Sequence, residues 1–230
     1  MFLQVFAMKK DILNIETLCT SAKDFCKKYS AQEFPNLFGI TDGKAIGTKV
    51  ESLFKDYLQE RFVLEIGSAA GGLDLPSVNT DIKVTSIKQP QSSCPYKDSK
   101  QKIYGLGYNL LVFVYEKNDD PAKQTGSLNF LSCSFIEAKR TADYQITTGL
   151  LNIIKNNGNQ EDIVSFLWNH NIPADDVTLQ NIAEDVLKNP PNVGYLTISN
   201  ALQWRLQYGR VVNLQEKIDG ITQIVKYKND

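Results

Sequence analysis

Two carboxylates and a lysine lie close together in the segment GLDLPSVNTDIKVTSI: Asp74, Asp81 and Lys83. Polar and apolar residues alternate along TDIKVTSI, which predicts a strand with Asp81 and Lys83 on one face and Ile82 on the other. The segment from Pro76 to Asn79 has the residue types of a turn, so Asp74 can fold back towards Asp81. We therefore expect the three charged side chains to converge at the mouth of two adjacent strands.

These residues suit a hard cation and phosphate chemistry. The carboxylates of Asp74 and Asp81 and the carbonyl of Ile82 are oxygen ligands of the kind that Mg²⁺ prefers, and Mn²⁺ is expected to substitute for it. A metal ion there lowers the pKa of a bound water, and Lys83 can orient or deprotonate that water and offset phosphate charge. The expected chemistry is phosphodiester hydrolysis. The alternative is that Asp81 and Lys83 form only a surface salt bridge.

The elements that must position these side chains are helices and strands in alternation. Apolar spacings of three and four predict helices over residues 9–29, 48–58 and 143–156. Strands are expected at residues 62–67, 73–76, 80–87, 110–117 and 128–139. Three further helices, in an arrangement similar to a helix-turn-helix, are expected over Glu161–Trp168, Thr178–Lys188 and Ser199–Val211. The chain is thus expected to be an α/β protein with a core at residues 1–157 and a helical subdomain at 158–230 packed on it.

An aspartate followed by Asp-x-Lys on a paired strand resembles the signature of the PD-(D/E)xK nuclease superfamily, and the chain is similar to type II restriction endonucleases of that group. AIGTKVESLFKDYL (45–58) resembles the helix before such a core, in which Glu51 matches an inward glutamate. Residues 85–117 resemble the polar loop and helix that lead to the next core strand. The first motif departs from the pattern, because Leu73 replaces the proline.

The resemblance implies a mixed central sheet flanked by helices and a Mg²⁺-dependent, sequence-specific endonuclease of a restriction-modification system. Such an enzyme leaves 5′-phosphate ends and cuts a symmetric duplex site as a homodimer. Glu51, Asp74 and Asp81 would be metal ligands and, with Lys83, the catalytic residues. For Glu51 the alternative is a solvated helical pair with Lys55.

Two other functions and a competing motif stay open. The chain could be a repair or recombination nuclease of the same superfamily, or a non-catalytic DNA-binding regulator built on the C-terminal helices. A second Glu-x-Lys, from Glu137 to Lys139, lacks a carboxylate a short hairpin upstream. It ranks second, and a structural or phosphate-contact role is expected for Lys139 and Arg140.

Charge is segregated along the chain although the net charge is only −1. Residues 83–102 carry five lysines and one aspartate, whereas residues 161–188 carry six acids and one lysine, a pattern typical of a protein with some stretches facing a polyanion. We expect double-stranded DNA to be read by a proline-stiffened loop with Gln89, Gln91, Ser92 and Ser93. Phosphate contacts are expected from Lys88, Lys97, Lys100 and Lys102. On the expected helix over Ser199–Val211, the candidate DNA contacts are Asn200, Gln203, Arg205, Tyr208 and Arg210, the alternative being an amphipathic packing helix.

Histidine and cysteine usage narrows the chemistry. The single histidine, His170, excludes nucleases that need a histidine base at a metal site, and His-rich zinc sites. The four cysteines lack paired zinc-ligand spacing and are expected as reduced thiols, with a Cys19–Cys26 disulfide as the alternative.

The N-terminal segment MFLQVFAMKK has no basic residue before its apolar run, so it is a poor signal peptide. The longest apolar runs of the chain are too short to span a bilayer. We expect a cytoplasmic bacterial or archaeal protein with no membrane association.

Overall fold

The structure, a computed structural model, describes residues 10–64, 72–95, 97–200 and 203–228. The helices are α1 (Ile15–Tyr29), α2 (Gly43–Gln59), α3 (Gln101–Tyr104), α4 (Tyr144–Lys155), α5 (Gln160–Asn169), α6 (Asp176–Lys188) and α7 (Gly209–Val212). The strands are β1 (Asp11–Ile12), β2 (Glu33–Phe34), β3 (Phe62–Val63), β4 (Thr80–Ser86), β5 (Gln91–Cys94), β6 (Asn109–Asp120), β7 (Thr125–Ile136), β8 (Thr197–Ser199), β9 (Trp204–Gln207) and β10 (Ile221–Val225). None of the helices in the described ranges has the length and apolar character that a membrane crossing needs.

The central sheet is mixed and ends in strand β4. Its strands follow the order β10-β7-β6-β4, and β2 also pairs with β7. Strands β4 and β6 are parallel, whereas β7 is antiparallel to both β6 and β10. A second sheet has the order β5-β9-β8. The expected α/β class with a mixed central sheet is confirmed, but the long helices α1 and α2 cover only one of its faces, and the other is covered mainly by the second sheet. Strand β4, which carries Asp81 and Lys83, lies at the sheet edge.

Both faces of the central sheet are covered. On one face, α1 and α2 contribute Phe25 and Phe54, which pack edge-on against Phe113 of β6. On the other face, the second sheet packs Trp204 and Leu206 into a core that includes alternate residues of β6. A third apolar cluster joins α4, α5 and α6. The alternating burial of β6 to both sides accounts for its continuous apolar sequence.

The predicted helix over Ser199–Val211 is wrong. Ser199 ends β8, β9 follows and α7 begins at Gly209, while residues 201–202 lie outside the described ranges. Trp204, Leu206 and Tyr208 are buried at the two-residue spacing of a strand. Two helices, α5 and α6, are therefore followed by strands, and the helix-turn-helix-like arrangement is not found in the described residues. Strand β10 pairs with β7, so the C-terminal part also contributes to the central sheet. The boundary at residue 157 stays a prediction.

Two shorter strand predictions also need correction. Residues 73–76 do not form a strand; Leu75 makes one isolated bridge to Thr80, and a 3₁₀ turn over Pro76–Val78 follows. In residues 62–67 only Phe62–Val63 is a strand, and residues 65–67 lie outside the described ranges. The segment expected to be a loop with Gln91, Ser92 and Ser93 is strand β5.

All four cysteines are free thiols, as expected, and Cys19 and Cys26 do not form a disulfide.

A buried aspartate ties the second sheet to the helical part. Asp143 is 4% exposed; its Oδ1 accepts a hydrogen bond from the Ile146 amide at 3.0 Å and caps α4, and its Oδ2 accepts one from the Ile198 amide of β8 at 2.7 Å. One carboxylate thus satisfies two buried donors in two elements.

We predict that Asp143→Ala lowers the free energy of unfolding by about 2–4 kcal/mol, because two buried N–H groups lose their acceptor. Urea denaturation measures the change. Asp143→Asn keeps one acceptor oxygen and should cost less. An Asp143→Ala protein as stable as the wild type would show that the two amides find other partners.

Candidate active site

Helix α2 presents a polar stripe to the edge of the sheet. It begins at Gly43, five residues before the predicted start, because the Asp42 side chain accepts a hydrogen bond from the Lys44 amide and caps the helix. Its apolar stripe is buried in the core. Spacings of four, three and four residues place on another stripe Lys44, Thr48, Glu51 and Lys55.

The turn before β4 places Asp74 beside that strand. The amides of Leu75 and Thr80 each donate to the other residue's carbonyl, at 3.0 and 3.1 Å. Asn79 adopts a left-handed conformation (φ 47°), which an asparagine tolerates, and leads the chain into β4. Asp74 Oδ2 then accepts a hydrogen bond from the Ile82 amide at 2.8 Å. A side chain, rather than another strand, occupies the free edge of β4.

Five charged side chains meet at this edge. Lys83 Nζ lies 2.7 Å from Asp81 Oδ2, as expected for two residues on the same face of a strand. Lys55 Nζ lies 2.6 Å from both Glu51 Oε1 and Asp74 Oδ1. The carboxyl groups of Asp74 and Asp81 lie within hydrogen-bonding reach of each other. The predicted convergence of Asp74, Asp81 and Lys83 is therefore found in the structure.

The two aspartates differ in their electrostatic environment. Burial, and then the contact with the Asp74 carboxylate, raises the pKa of Asp81 to about 6 despite the attraction of Lys83. Burial also acts to raise the pKa of Asp74, but hydrogen bonds with Asp81, Lys55 and the Ile82 amide outweigh it and lower that pKa to about 2. Burial raises the pKa of Glu51. Negative charge is thus crowded onto one small region.

The chemistry of this donor set fits a hard divalent cation. Within the described ranges, no three His, Cys, Asp or Glu side chains are grouped so that they could hold a metal ion. Lys55 lies between Glu51 and Asp74. Mg²⁺ commonly uses only one or two carboxylates, with waters and substrate phosphates completing its shell. The contacting carboxylates of Asp74 and Asp81 supply that number, and a cation would relieve their mutual repulsion.

A cleft of about 540 Å³ opens beside the charged cluster. Three elements form it: β4 contributes Lys83, the first turns of α2 contribute Glu51, and the second sheet contributes Arg205. The remaining lining residues are Gly43, Lys44, Gly47, Thr48, Ile82, Val84, Gln91, Ser92, Ser93 and Gln203. Of the candidate catalytic residues, Glu51 and Lys83 line the cleft, whereas Asp74 and Asp81 are not among its lining residues and lie beside it. The candidate DNA contacts in the lining come from two distant parts of the sequence.

Comparison with known proteins identifies the family. The family model described as type II restriction enzyme NspV matches residues 12–223. The type II restriction enzyme NspV of Nostoc sp. is 49% identical over 219 residues, which cover 95% of this chain and 99% of the relative. The chain belongs to the NspV family of type II restriction enzymes. No solved structure gives a significant match.

Membership of this family confirms the expectation of a type II restriction endonuclease, a site-specific deoxyribonuclease. The two alternatives, a repair or recombination nuclease and a non-catalytic regulator, are not supported.

Two of the side chains expected to contact DNA in this restriction enzyme are buried in the structure. Lys102 is 4% exposed, its ammonium lies 5.5 Å from the centre of the Trp204 ring, and burial lowers its pKa. Tyr208 is 0% exposed, and its hydroxyl lies 2.5 Å from Ser92 Oγ. Both residues pack against the second sheet, which does not favour the expected DNA contacts.

Several other candidates lie outside the cleft and have protein partners. Lys139 and Arg140 lie in a 3₁₀ turn and pair with Asp219. Lys100 pairs with Asp185. The Arg210 guanidinium stacks 3.5 Å from the centre of the Tyr144 ring, and the Asn200 amide donates to the Asn171 carbonyl. Lys88, Gln89 and Lys97 are exposed, and their contact with DNA stays a prediction.

Sequence reasoning missed the central position of Lys55. The sequence predicts Lys55 only as the helical partner of Glu51, whereas its ammonium also binds Asp74. The signal was the polar stripe of α2, on which Lys44 and Thr48 also lie. That stripe faces β4 because the opposite stripe is apolar, but the partner at Asp74 comes from the tertiary fold.

We predict that Asp81→Asn stabilises the metal-free enzyme at pH 8 and that the gain shrinks as the pH falls to 5. The folded-state pKa of Asp81 is raised to about 6, so its ionised form opposes folding above that pH and this penalty disappears as the carboxyl is protonated. Thermal denaturation with a chelator present measures the effect; each kcal/mol corresponds to roughly 2–4 °C. A lower melting temperature for Asp81→Asn at pH 8 would contradict the crowding of the carboxylates.

Proposed function

We propose that this restriction enzyme cleaves double-stranded DNA by Mg²⁺-dependent phosphodiester hydrolysis at the edge of β4, in the manner of PD-(D/E)xK nucleases. The observation that carries the proposal is the contact of Asp74 with Asp81, with Lys83 Nζ 2.7 Å from Asp81, at the free edge of a mixed sheet. The residues assigned to catalysis are Glu51, Asp74, Asp81 and Lys83.

Asp74 and Asp81 would hold Mg²⁺, with the Ile82 carbonyl as a third protein ligand. Glu51 would be a further ligand only if its carboxylate left the ion pair with Lys55. When bound, the ion would supply charge stabilisation at the phosphate and a more acidic water. Asp74 is already oriented for this role by the Ile82 amide, so little conformational freedom is lost on binding. Mn²⁺, with similar oxygen-ligand preferences, is expected to substitute.

The two lysines have different roles in this proposal. Lys83 lines the cleft, where its ammonium can orient the attacking water and offset phosphate charge. Lys55 forms ion pairs with both Glu51 and Asp74 and offsets the repulsion between these two carboxylates. We assign Lys55 as a positioning residue that keeps the site compact when Asp74 and Glu51 are ionised.

DNA would lie across the cleft, with its phosphates near α2 and its bases near the second sheet. Lys44 at the start of α2 and Lys83 provide positive charge there. Lys88 and Gln89, in the turn before β5, and Lys97, between β5 and α3, are exposed. A homodimer would place two such clefts on the two strands of a symmetric site and leave 5′-phosphate ends.

We predict that the wild-type enzyme cuts plasmid DNA into discrete fragments with Mg²⁺, and that Asp74→Ala, Asp81→Ala and Lys83→Ala each reduce the rate at least about a hundredfold. The aspartate variants should keep DNA binding, because a lost carboxylate also removes repulsion against phosphate. The Glu137→Ala variant, in the competing Glu-x-Lys motif, is the matched control and should cut normally. Full activity of Asp81→Ala would refute the assignment.

We predict further that a chelator abolishes cleavage, that Mg²⁺ or Mn²⁺ restores it, and that Ca²⁺ supports binding without cutting. Ca²⁺ accepts the same oxygen ligands but with longer, looser geometry. Gel-shift and cleavage assays on the same mapped duplex separate the two effects. Robust cutting by chelator-treated enzyme without added metal would contradict a metal-dependent mechanism.

A further inference from the structure

The outward face of the second sheet is polar throughout and carries no acid. In the antiparallel pairing, Ser93 lies opposite Arg205, and Gln91 opposite Gln207. Directly opposite residues project from the same face of a sheet. Strand β8 adds Thr197 and Ser199 to this face, since they pair with Gln207 and Arg205. The alternate residues Cys94, Trp204, Leu206 and Ile198 are buried.

This polar face is directed into the cleft. Gln91, Ser93 and Arg205 line the same cleft as Lys83 and Glu51. A two-stranded β-ribbon fits the width of the DNA major groove. Strands β5 and β9 form such a ribbon only as part of the three-stranded sheet with β8, so it is their polar face, next to the residues proposed to cut the backbone, that can approach the groove.

Strand β5 is fixed to the cutting strand by a hydrogen-bonded threonine. Thr85 lies two residues after Lys83 on β4 and is 6% exposed. Its hydroxyl accepts a hydrogen bond from the Gln91 amide at 3.1 Å and lies 3.0 and 3.2 Å from the Gln91 and Gln89 carbonyls. A shift of β5 would therefore break these contacts with β4. The contacts couple the strand proposed to read bases to the strand proposed to cut the backbone.

Arg205 lies on this face, and most of its guanidinium N–H groups are available to donate hydrogen bonds to a ligand. Its Nη1 donates to Ser93 Oγ at 2.9 Å, which orients the guanidinium and leaves its other N–H groups. Of the four arginines in the chain, Arg61 pairs with Glu60, Arg140 pairs with Asp219, and Arg210 stacks on Tyr144. In the described part of the chain no acid forms an ion pair with the exposed Arg205.

We propose that Arg205, held by Ser93, is a specificity-determining residue that reads guanine in the major groove through its O6 and N7 atoms. Bidentate contact of arginine with these two acceptors is the commonest specific pairing of a side chain with a base. A phosphate contact is the competing role for the same side chain, and it would carry no sequence information. The inference rests on the proposed function, because it requires DNA in this cleft.

The test begins with the wild-type cleavage site, mapped from digested DNA of known sequence. Each guanine of that site is then replaced by 7-deazaguanine, which lacks the N7 acceptor, and binding is measured in Ca²⁺. We expect one replacement per half-site to weaken wild-type binding about fivefold to a hundredfold. Arg205→Ala should bind the unmodified site more weakly by a similar factor and be insensitive to that replacement.

Two further variants make the result decisive. Arg205→Lys keeps the charge but not the planar pair of donors, so it should retain affinity for random DNA while losing preference for the mapped site. Lys155→Ala removes an exposed charge outside the cleft and should behave as wild type. Circular dichroism checks that each variant is folded.

The outcomes separate this inference from the proposed function. If the wild-type enzyme gives no discrete fragments, the proposed function fails. If it cuts a mapped site that contains no G·C pair, or if Arg205→Ala keeps wild-type sensitivity to every 7-deazaguanine, the guanine-reading role is overturned while the proposed function stands. Equal loss of affinity for cognate and random DNA in both Arg205 variants would assign Arg205 to a phosphate and also overturn it.

Discussion

The hydrogen bond from the Ile82 amide to Asp74 is the constraint on which the candidate site depends. Strand β4 pairs with β6 on one side only, and its other side is an edge. An open edge invites pairing with a further strand. Asp74 occupies that edge with a carboxylate, so the edge is protected and an acidic group is fixed beside Asp81. The same arrangement leaves the edge accessible to a bulky ligand.

The surrounding elements follow from this edge position. Helix α2 packs its apolar side on one face of the sheet. Its polar stripe therefore lies at the edge formed by β4, where Lys55 contacts Asp74. The second sheet packs on the opposite face through Trp204 and Leu206. Only at the border can residues from both faces meet in one cleft. The ionised forms of Asp81 and Glu51, whose pKa values are raised, oppose folding, and the two apolar layers stabilise the fold that holds them in place.

The sequence predicts local features well where one periodicity is clear. The alternation around Asp81 and Lys83 and the apolar run of β6 predict their strands, and the turn after Asp74 predicts its return to β4. The segment over Ser199–Val211 is different. Leu202 and Leu206 are four residues apart, as in a helix, whereas Trp204, Leu206 and Tyr208 are two apart, as in a strand. Its pairing with β5, more than a hundred residues earlier, selects the strand. The contacts of Lys55 with Asp74 and of Tyr208 with Ser92 likewise depend on tertiary structure.

Iron-directed protein cleavage would test the location of the metal site most directly. Fe²⁺ accepts oxygen ligands in place of Mg²⁺ and, with ascorbate and peroxide, produces radicals that cut the polypeptide next to the bound ion. The account predicts cuts near Asp74, near Asp81–Lys83 and near Glu51, suppressed by excess Mg²⁺ and absent from Asp81→Ala. Mg²⁺-sensitive cuts near Glu137 and Lys139, without cuts at β4, would contradict it.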